Sequence, residues 1–360
     1  MQSPTVKLHA WIGALGLILN LSVLTYSVCA AELSEKLKNW RPPTGAFLCR
    51  NEFPSKFDPA DTEHCGDGDM TLFNGLLCLS GEELGCAALR QSKDGNGRWW
   101  RSPRRVGREY PNADVSFSPD QALGVLSYVL AKRDAIAFDG WLTWMDAHRG
   151  KLTSAQIREV VKPVIEKLHW PDWQINLATN AIANALPERI TYCSDDHDAR
   201  CTLRPGDCDI IKRVGVALGR KVDLCNGYLF FDQIETIFGS VGLELPNALS
   251  VASSYLNSDN YPLHLAAVQI LLLQRMGERD DALVRAAATH LNEREARNAF
   301  FAFLAGKKTG PSGASELLST ECPATSDRSQ WAWERPDSEK AWEKSMYWDC
   351  IFVARLLELN

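Results

Sequence analysis

The chain has 360 residues, is 45% hydrophobic, and sets 45 acidic against 39 basic side chains, for a formal charge of −6. That balance argues against nucleic acid as a general partner, because neutralising phosphates takes a basic surface. The length suits one large domain or two ordinary ones, and no Gly/Ser-rich or Pro-rich linker divides the middle, so one large helical domain is expected.

Residues 1–31 read as a signal peptide. Lys7 supplies a positive start, Leu8 to Leu24 is mostly apolar, and Val28-Cys29-Ala30 and Cys29-Ala30-Ala31 place small residues where a signal peptidase cuts. The apolar run approaches spanning length, so an uncleaved anchor is the competing reading. A lipoprotein with Cys29 as its new N-terminus ranks third, since Tyr26-Ser27-Val28 is a poor lead-in. Cleavage would leave a periplasmic or secreted protein without stable membrane insertion. It would also remove Cys29 from the 11 cysteines and leave an even number, which in an oxidising compartment favours disulfides over metal or redox chemistry. Cys78 and Cys86 would flank a helical turn. Cys193, Cys201, Cys208 and Cys225 would staple one irregular segment, and Cys322 and Cys350 would pin the C-terminus. Spacing fixes none of these pairings. No CxxC or HExxH spacing occurs, and neither a metal nor a cofactor is expected.

Residues 32–66 look like an irregular arm containing Arg41-Pro42-Pro43 and Phe53-Pro54. A first helix begins near Asp69, carries Leu72, Leu76, Leu77 and Leu79 as its apolar stripe, and stops at Gly81. A second, Glu82 to Gln91, follows almost without a loop and makes a helical hairpin. The turn Asp94-Gly95-Asn96-Gly97 then opens a long loop containing Arg98-Trp99-Trp100-Arg101 and Arg104-Arg105. Pro119 starts a helix apolar on more than one face, the pattern of a buried helix, and the amphipathic Ile136 to His148 partners it. Further pairs are expected at Thr153–Leu168 with Asp172–Leu186 and at Cys208–Leu218 with Tyr228–Phe238. Asn247–Leu256 precedes the most apolar helix of the exported chain, Pro262–Met276, and Asp281–His290 and Glu293–Leu304 follow. A looser region from Gly306 to Ser315 leads into a C-terminal tail and a last helix, Ser338–Leu359. No strong period-two run occurs, so strand content should be minor.

Nearly all-apolar helices thus alternate with amphipathic ones, as a ring of inner helices wrapped by outer ones requires. This mainly α arrangement, stabilised by disulfides, resembles the (α/α) toroid, complete or incomplete, of glycoside hydrolases and polysaccharide lyases. The resemblance rests on helix order over residues 67–305, with 306–360 packed on the domain. An α-solenoid also gives helical hairpins, but no fixed repeat period is present.

In toroids of this kind, ligand groups sit at inner-helix N-termini, where free N–H groups and the positive dipole end face the ligand. Asp67 and Asp69 open the first helix here, Ser118, Asp120 and Gln121 the third, and Tyr261 and His264 the most buried one. Asp69 and Asp120 would form the carboxylate pair of a glycosidase if the fold brings their helix starts together. The bland alternative is capping: Ser118, Pro119 and Gln121 match a capping box, and Asp67 and Asp69 flank Gly68 as cap and turn residues. Trp99 and Trp100 would stack on sugar rings, and Arg101 and Arg104 would bind carboxylate or sulfate. Adjacent tryptophans on a regular element cannot both face inward, so at least one is expected at a surface or groove. The alternative is a tryptophan anchoring the loop. Tyr261 and His264 share a helix face and would serve a lyase as acid and base, against a plain core histidine. Asp94-Gly95-Asn96-Gly97-Arg98 starts like a calcium loop but puts Arg98 at a ligand position. The expectation is an exported enzyme acting on an anionic polysaccharide, a glycoside hydrolase ahead of a lyase or a non-catalytic glycan-binding scaffold.

Overall fold

A computed structural model describes residues 48–49, 53–54, 70–108, 117–150, 153–155, 157–158, 171–185, 190–192, 203–226, 240, 242, 245–256, 260–321 and 348–359. Two short strands, β1 (Leu48–Cys49) and β2 (Phe53–Pro54), pair antiparallel within the expected irregular arm. All other regular structure among the described residues is helical. The α-helices are α1 (Met70–Leu79), α2 (Glu83–Gln91), α3 (Pro119–Lys132), α4 (Ala135–Ala147), α5 (Asp172–Ala185), α6 (Pro205–Ala217), α7 (Leu245–Leu256), α8 (Asn260–Arg275), α9 (Ala282–Arg294), α10 (Ala299–Leu304), α11 (Ala314–Glu321) and α12 (Trp348–Leu356). The protein is mainly α, as its patterning implies. The signal segment, the Tyr228–Phe238 helix and most of Thr153–Leu168 lie outside the described residues. No described helix is long and apolar enough to cross a membrane.

Helix α1 lies at the centre, with every one of its residues buried. It ends where Gly81 takes φ +94°, and the Gly81 and Glu82 amides close its last turn on the carbonyls of Cys78 and Leu77. α1 and α3 pack side by side with their backbones almost touching. A Cβ on Gly75 would lie 2.3 Å from the Gly124 carbonyl oxygen, and one on Gly124 would lie 2.0 Å from that of Thr71. The C-terminal ends of the two helices also lie together, since Cys78, Leu79 and Gly81 face one cleft with Leu130, Ala131, Lys132 and Arg133.

From this pair the contacts run outward and return. α3 packs on α6 and α8, α8 on α10, α10 on α12, and α12 on α1. Arg355 on α12 closes the circuit through a 3.0 Å ion pair with Glu82, in the α1–α2 turn. Phe300 sits where α8, α10 and α12 meet, tilted against His264 at 5.6 Å and edge-on to Phe352 at 5.0 Å. Helices α2, α4, α7, α9 and α11 pack on these inner elements.

Two expected boundaries shift for local reasons. A helix was expected to run from Glu293 to Leu304, but α9 continues to Arg294 and a new helix begins at Ala299. The side chain of Asn298 accepts from the amides of Phe300 and Phe301 and so caps a fresh start. The region from Gly306 to Ser315 is less loose than its glycines suggest, since α11 already begins at Ala314.

Disulfides join Cys78 to Cys86 and Cys208 to Cys225, and Cys350 is also disulfide-bonded. The first staples α1 to α2. The second ties α6 to the segment after it, closing a loop of sequence separation 17 between two fully buried cysteines. Closing a loop of that length restricts the unfolded chain and is worth about 3 kcal/mol. Replacing both Cys208 and Cys225 with alanine should therefore lower the unfolding free energy by about 3 kcal/mol. Urea denaturation under non-reducing conditions checks this, and an unchanged midpoint would mean the bridge is dispensable.

Candidate functional site

Residues from Asp94 to Arg105 form a compact hairpin rather than an open loop. The Asp94 carboxylate accepts from the amides of Asn96 (2.9 Å) and Arg98 (3.0 Å), which commits Asp94 to shaping the turn. Lys93 and Trp99 pair as a bridge, and the Trp100 amide donates to the Ser92 carbonyl at 2.8 Å. Gly97 adopts φ +91° and lies so close to α4 that a Cβ would stand 2.3 Å from the Gly140 carbonyl oxygen.

The expectation that one of the two tryptophans faces a surface does not hold. Trp99 is 1% exposed and Trp100 is 7% exposed. The argument from alternation applied to regular elements, whereas this irregular hairpin turns both rings inward. Trp99 meets Tyr128 edge-on at 5.7 Å, and the Tyr128 hydroxyl donates to Asp134, which caps α4 by accepting from the Ala137 amide. Burial, helped by the adjacent Asp134 carboxylate, pushes the Tyr128 hydroxyl well above its ordinary pKa. Trp100 lies beneath the Arg98 guanidinium at 3.8 Å and accepts a 2.6 Å bond from Thr71 at its carbonyl. These rings anchor the hairpin to α1, α3 and α4.

The same hairpin delivers Arg101, only 8% exposed, to the start of α3. Its guanidinium donates to the Ser118 hydroxyl at 3.4 Å. Ser118 stands at the N-cap position with extended backbone, yet its side chain bonds no backbone amide of the helix. The capping-box expectation fails here. Instead the hydroxyl donates to Oδ1 of Asp120, while the Gln121 amide donates to Oδ2 at 3.2 Å. A relay from Arg101 through Ser118 to Asp120 and Gln121 results, with Asp120 8% exposed and Gln121 fully buried.

Helix α6 contributes a second group of residues that sequence reasoning passed over. Arg204 precedes Pro205, and its backbone amide and its guanidinium both donate to Asp207. That carboxylate raises the Arg204 pKa further, and Tyr192 and Asp120 act on the same charge. The starts of α3 and α6 are therefore electrostatically joined. Tyr192 is fully buried, stacked on Trp141 at 5.9 Å and tilted against Phe117 at 6.2 Å. Arg204-Pro205-Gly206-Asp207 is a helix-start pattern visible in sequence, but only the fold brings its charge within electrostatic reach of Asp120.

Other expected site residues are placed as follows. Arg104 sits partly exposed in the tight turn Pro103–Arg105. His264 is fully buried, its ring between Phe73 (6.4 Å) and Phe300 (5.6 Å), which is the core-histidine alternative. In that position it does not reach a polymer at the surface, as a lyase base must. Asp67 and Asp69 lie outside the described residues, as does the side chain of Tyr261. Among the described residues, no group of three or more His, Cys, Asp or Glu side chains is arranged to hold a metal ion. The site at the starts of α3 and α6 thus offers a buried carboxylate, arginine forks, an amide and a tyrosine ring. Such a set suits recognition of hydroxyl-rich or anionic ligands. No known protein family, curated protein sequence or solved structure matches the chain.

Proposed function

We propose that this is an exported, disulfide-stapled protein built as an incomplete (α/α) toroid, acting as a glycoside hydrolase on an anionic glycan. The circuit α1–α3–α8–α10–α12, returning to α1 through Glu82 and Arg355, supports the architectural part. A single observation carries the functional part: Asp120 is hydrogen-bonded with Ser118 and Gln121 and, through Ser118, with Arg101 at the start of α3, within electrostatic reach of Arg204 at the start of α6. On this reading Asp120 is the general acid/base carboxylate and the arginines receive the acidic groups of the sugar.

One observation favours a second reading, a non-catalytic glycan-binding protein. Both oxygens of Asp120 are already engaged, by Ser118 and Gln121, which suits a rigid binding surface as well as a catalyst. Reducing-end release from a panel of polyuronates and neutral glycans separates the readings. A hydrolase should lose about 10²- to 10⁴-fold in turnover with Asp120→Asn, a change that removes charge and keeps shape. Glycan binding by the wild type with no turnover on any polymer would sink the hydrolase reading and leave the binding one.

A further inference from the structure

A cleft of about 520 Å³ opens at the far end of the inner helices, where the C-terminal ends of α1, α3, α6 and α8 converge. It stands about 18 Å along α3 from Asp120, at the 1.5 Å rise of an α-helix. Leu79, Leu130, Leu218 and Met276 supply apolar walls, and Lys132, Arg133 and Arg275 supply three positive charges with no carboxylate among the described lining residues.

Complementing helix dipoles is the ordinary role of cations at such a place. Here the helix ends are already closed by backbone. Glu82 donates to Leu77, Asp134 to Val129, Leu218 to Val214, and Met276 to Leu272. Neighbouring carboxylates are also committed. Glu83 pairs with Lys132 and Arg90, Asp134 accepts from Tyr128 and caps α4, Asp139 pairs with Arg220, and Glu278 pairs with Arg213. Arg133 and Arg275 therefore form no ion pair with any described residue. Arg275 is exposed at the mouth of the cleft, where partial desolvation, reinforced by the neighbouring Arg279, holds its guanidinium below its ordinary pKa. Arg133 is fixed in the left-handed conformation (φ 50°) at the end of α3, which sets the direction its side chain leaves the backbone.

We propose that this cleft binds a small amphiphilic monoanion, a medium-chain fatty carboxylate, whose head group is clasped by Arg133 and Arg275 and whose chain lies on Leu130, Leu218 and Met276. The volume lies within the range of small-molecule sites, and two guanidinium forks without an ion pair among the described residues match a carboxylate. An apolar body is required as well, since the walls between the charges are leucine and methionine.

Isothermal titration of the exported protein with decanoate, below its micelle-forming concentration, tests this, with decanol and acetate as partial ligands. Decanoate should bind saturably at one equivalent and weaken as salt rises, while decanol and acetate bind at least about tenfold more weakly. Combining Arg133→Asn, which tolerates the left-handed backbone, with Arg275→Gln should weaken decanoate by about tenfold or more, each single change giving part of the loss. Circular dichroism verifies that the variants are folded, and the single variants serve if the double one is not. No saturable decanoate binding, or unchanged affinity in folded variants, overturns the proposal. So does decanol binding as tightly as decanoate, which would mean a merely greasy cleft, or acetate doing so, which would mean a head-group site alone.

Discussion

Gly124→Ala is expected to cost the protein about 3 kcal/mol, although alanine is the better helix former by about 1 kcal/mol. The added methyl would lie 2.0 Å from the Thr71 carbonyl oxygen and 2.6 Å from the Leu72 Cα. Both are backbone atoms of a helix whose every residue is buried, so no flexible side chain can yield. α1 and α3 would have to move apart, and the contacts of α1 with α2 and α12 would be pulled with them. Gly75→Ala, facing the Gly124 carbonyl at 2.3 Å, should cost a similar amount. The double variant should cost clearly less than the sum, because helices already separated by one methyl have room for the second. Gly95→Ala is the control, since nothing lies within 4 Å of its added carbon and its φ is ordinary. Urea unfolding of the four variants reads the result directly. Additive losses, or a neutral Gly124→Ala, would mean that the close crossing does not hold the core together.

That crossing shows where sequence reading stopped. The start of α3 and the end of α1 were legible because their signals are local: Pro119 at a first turn and Gly81 beyond a last turn. Gly75 and Gly124 read as ordinary glycines inside apolar runs, because their reason for being glycine is 49 positions away in the chain. The site divides in the same way. Asp120 and Gln121 were identifiable from their place at a helix start. Ser118 was read as a cap because a hydroxyl before Pro119 usually is one, but Arg101 arrives from the hairpin and turns the hydroxyl toward Asp120. Nothing near Arg204 in sequence points to Asp120. Their relation exists only once α6 packs on α3.

Trp99→Ala separates a folding role from a ligand role for the aromatic pair. As a wall of a sugar groove, Trp99 would be exposed, and its removal would weaken glycan binding while leaving stability nearly intact. With 1% of its surface exposed and its ring against Tyr128, its removal should instead cost about 3–5 kcal/mol, the range for emptying a large aromatic site in a core. The loss should spread along the bonded chain it supports. Tyr128 would lose its edge-on partner, and its bond to Asp134, which caps α4, would loosen. Trp99→Phe should recover part of the stability by refilling most of the volume. Arg101 follows Trp99 by two residues, so a hairpin released from the core also releases the guanidinium that reaches Ser118. Any loss of glycan affinity in Trp99→Ala should therefore track loss of folding, with the same order across Ala, Phe and wild type. Full stability in Trp99→Ala together with weakened glycan binding would instead make the ring a ligand platform and require the hairpin to open in solution.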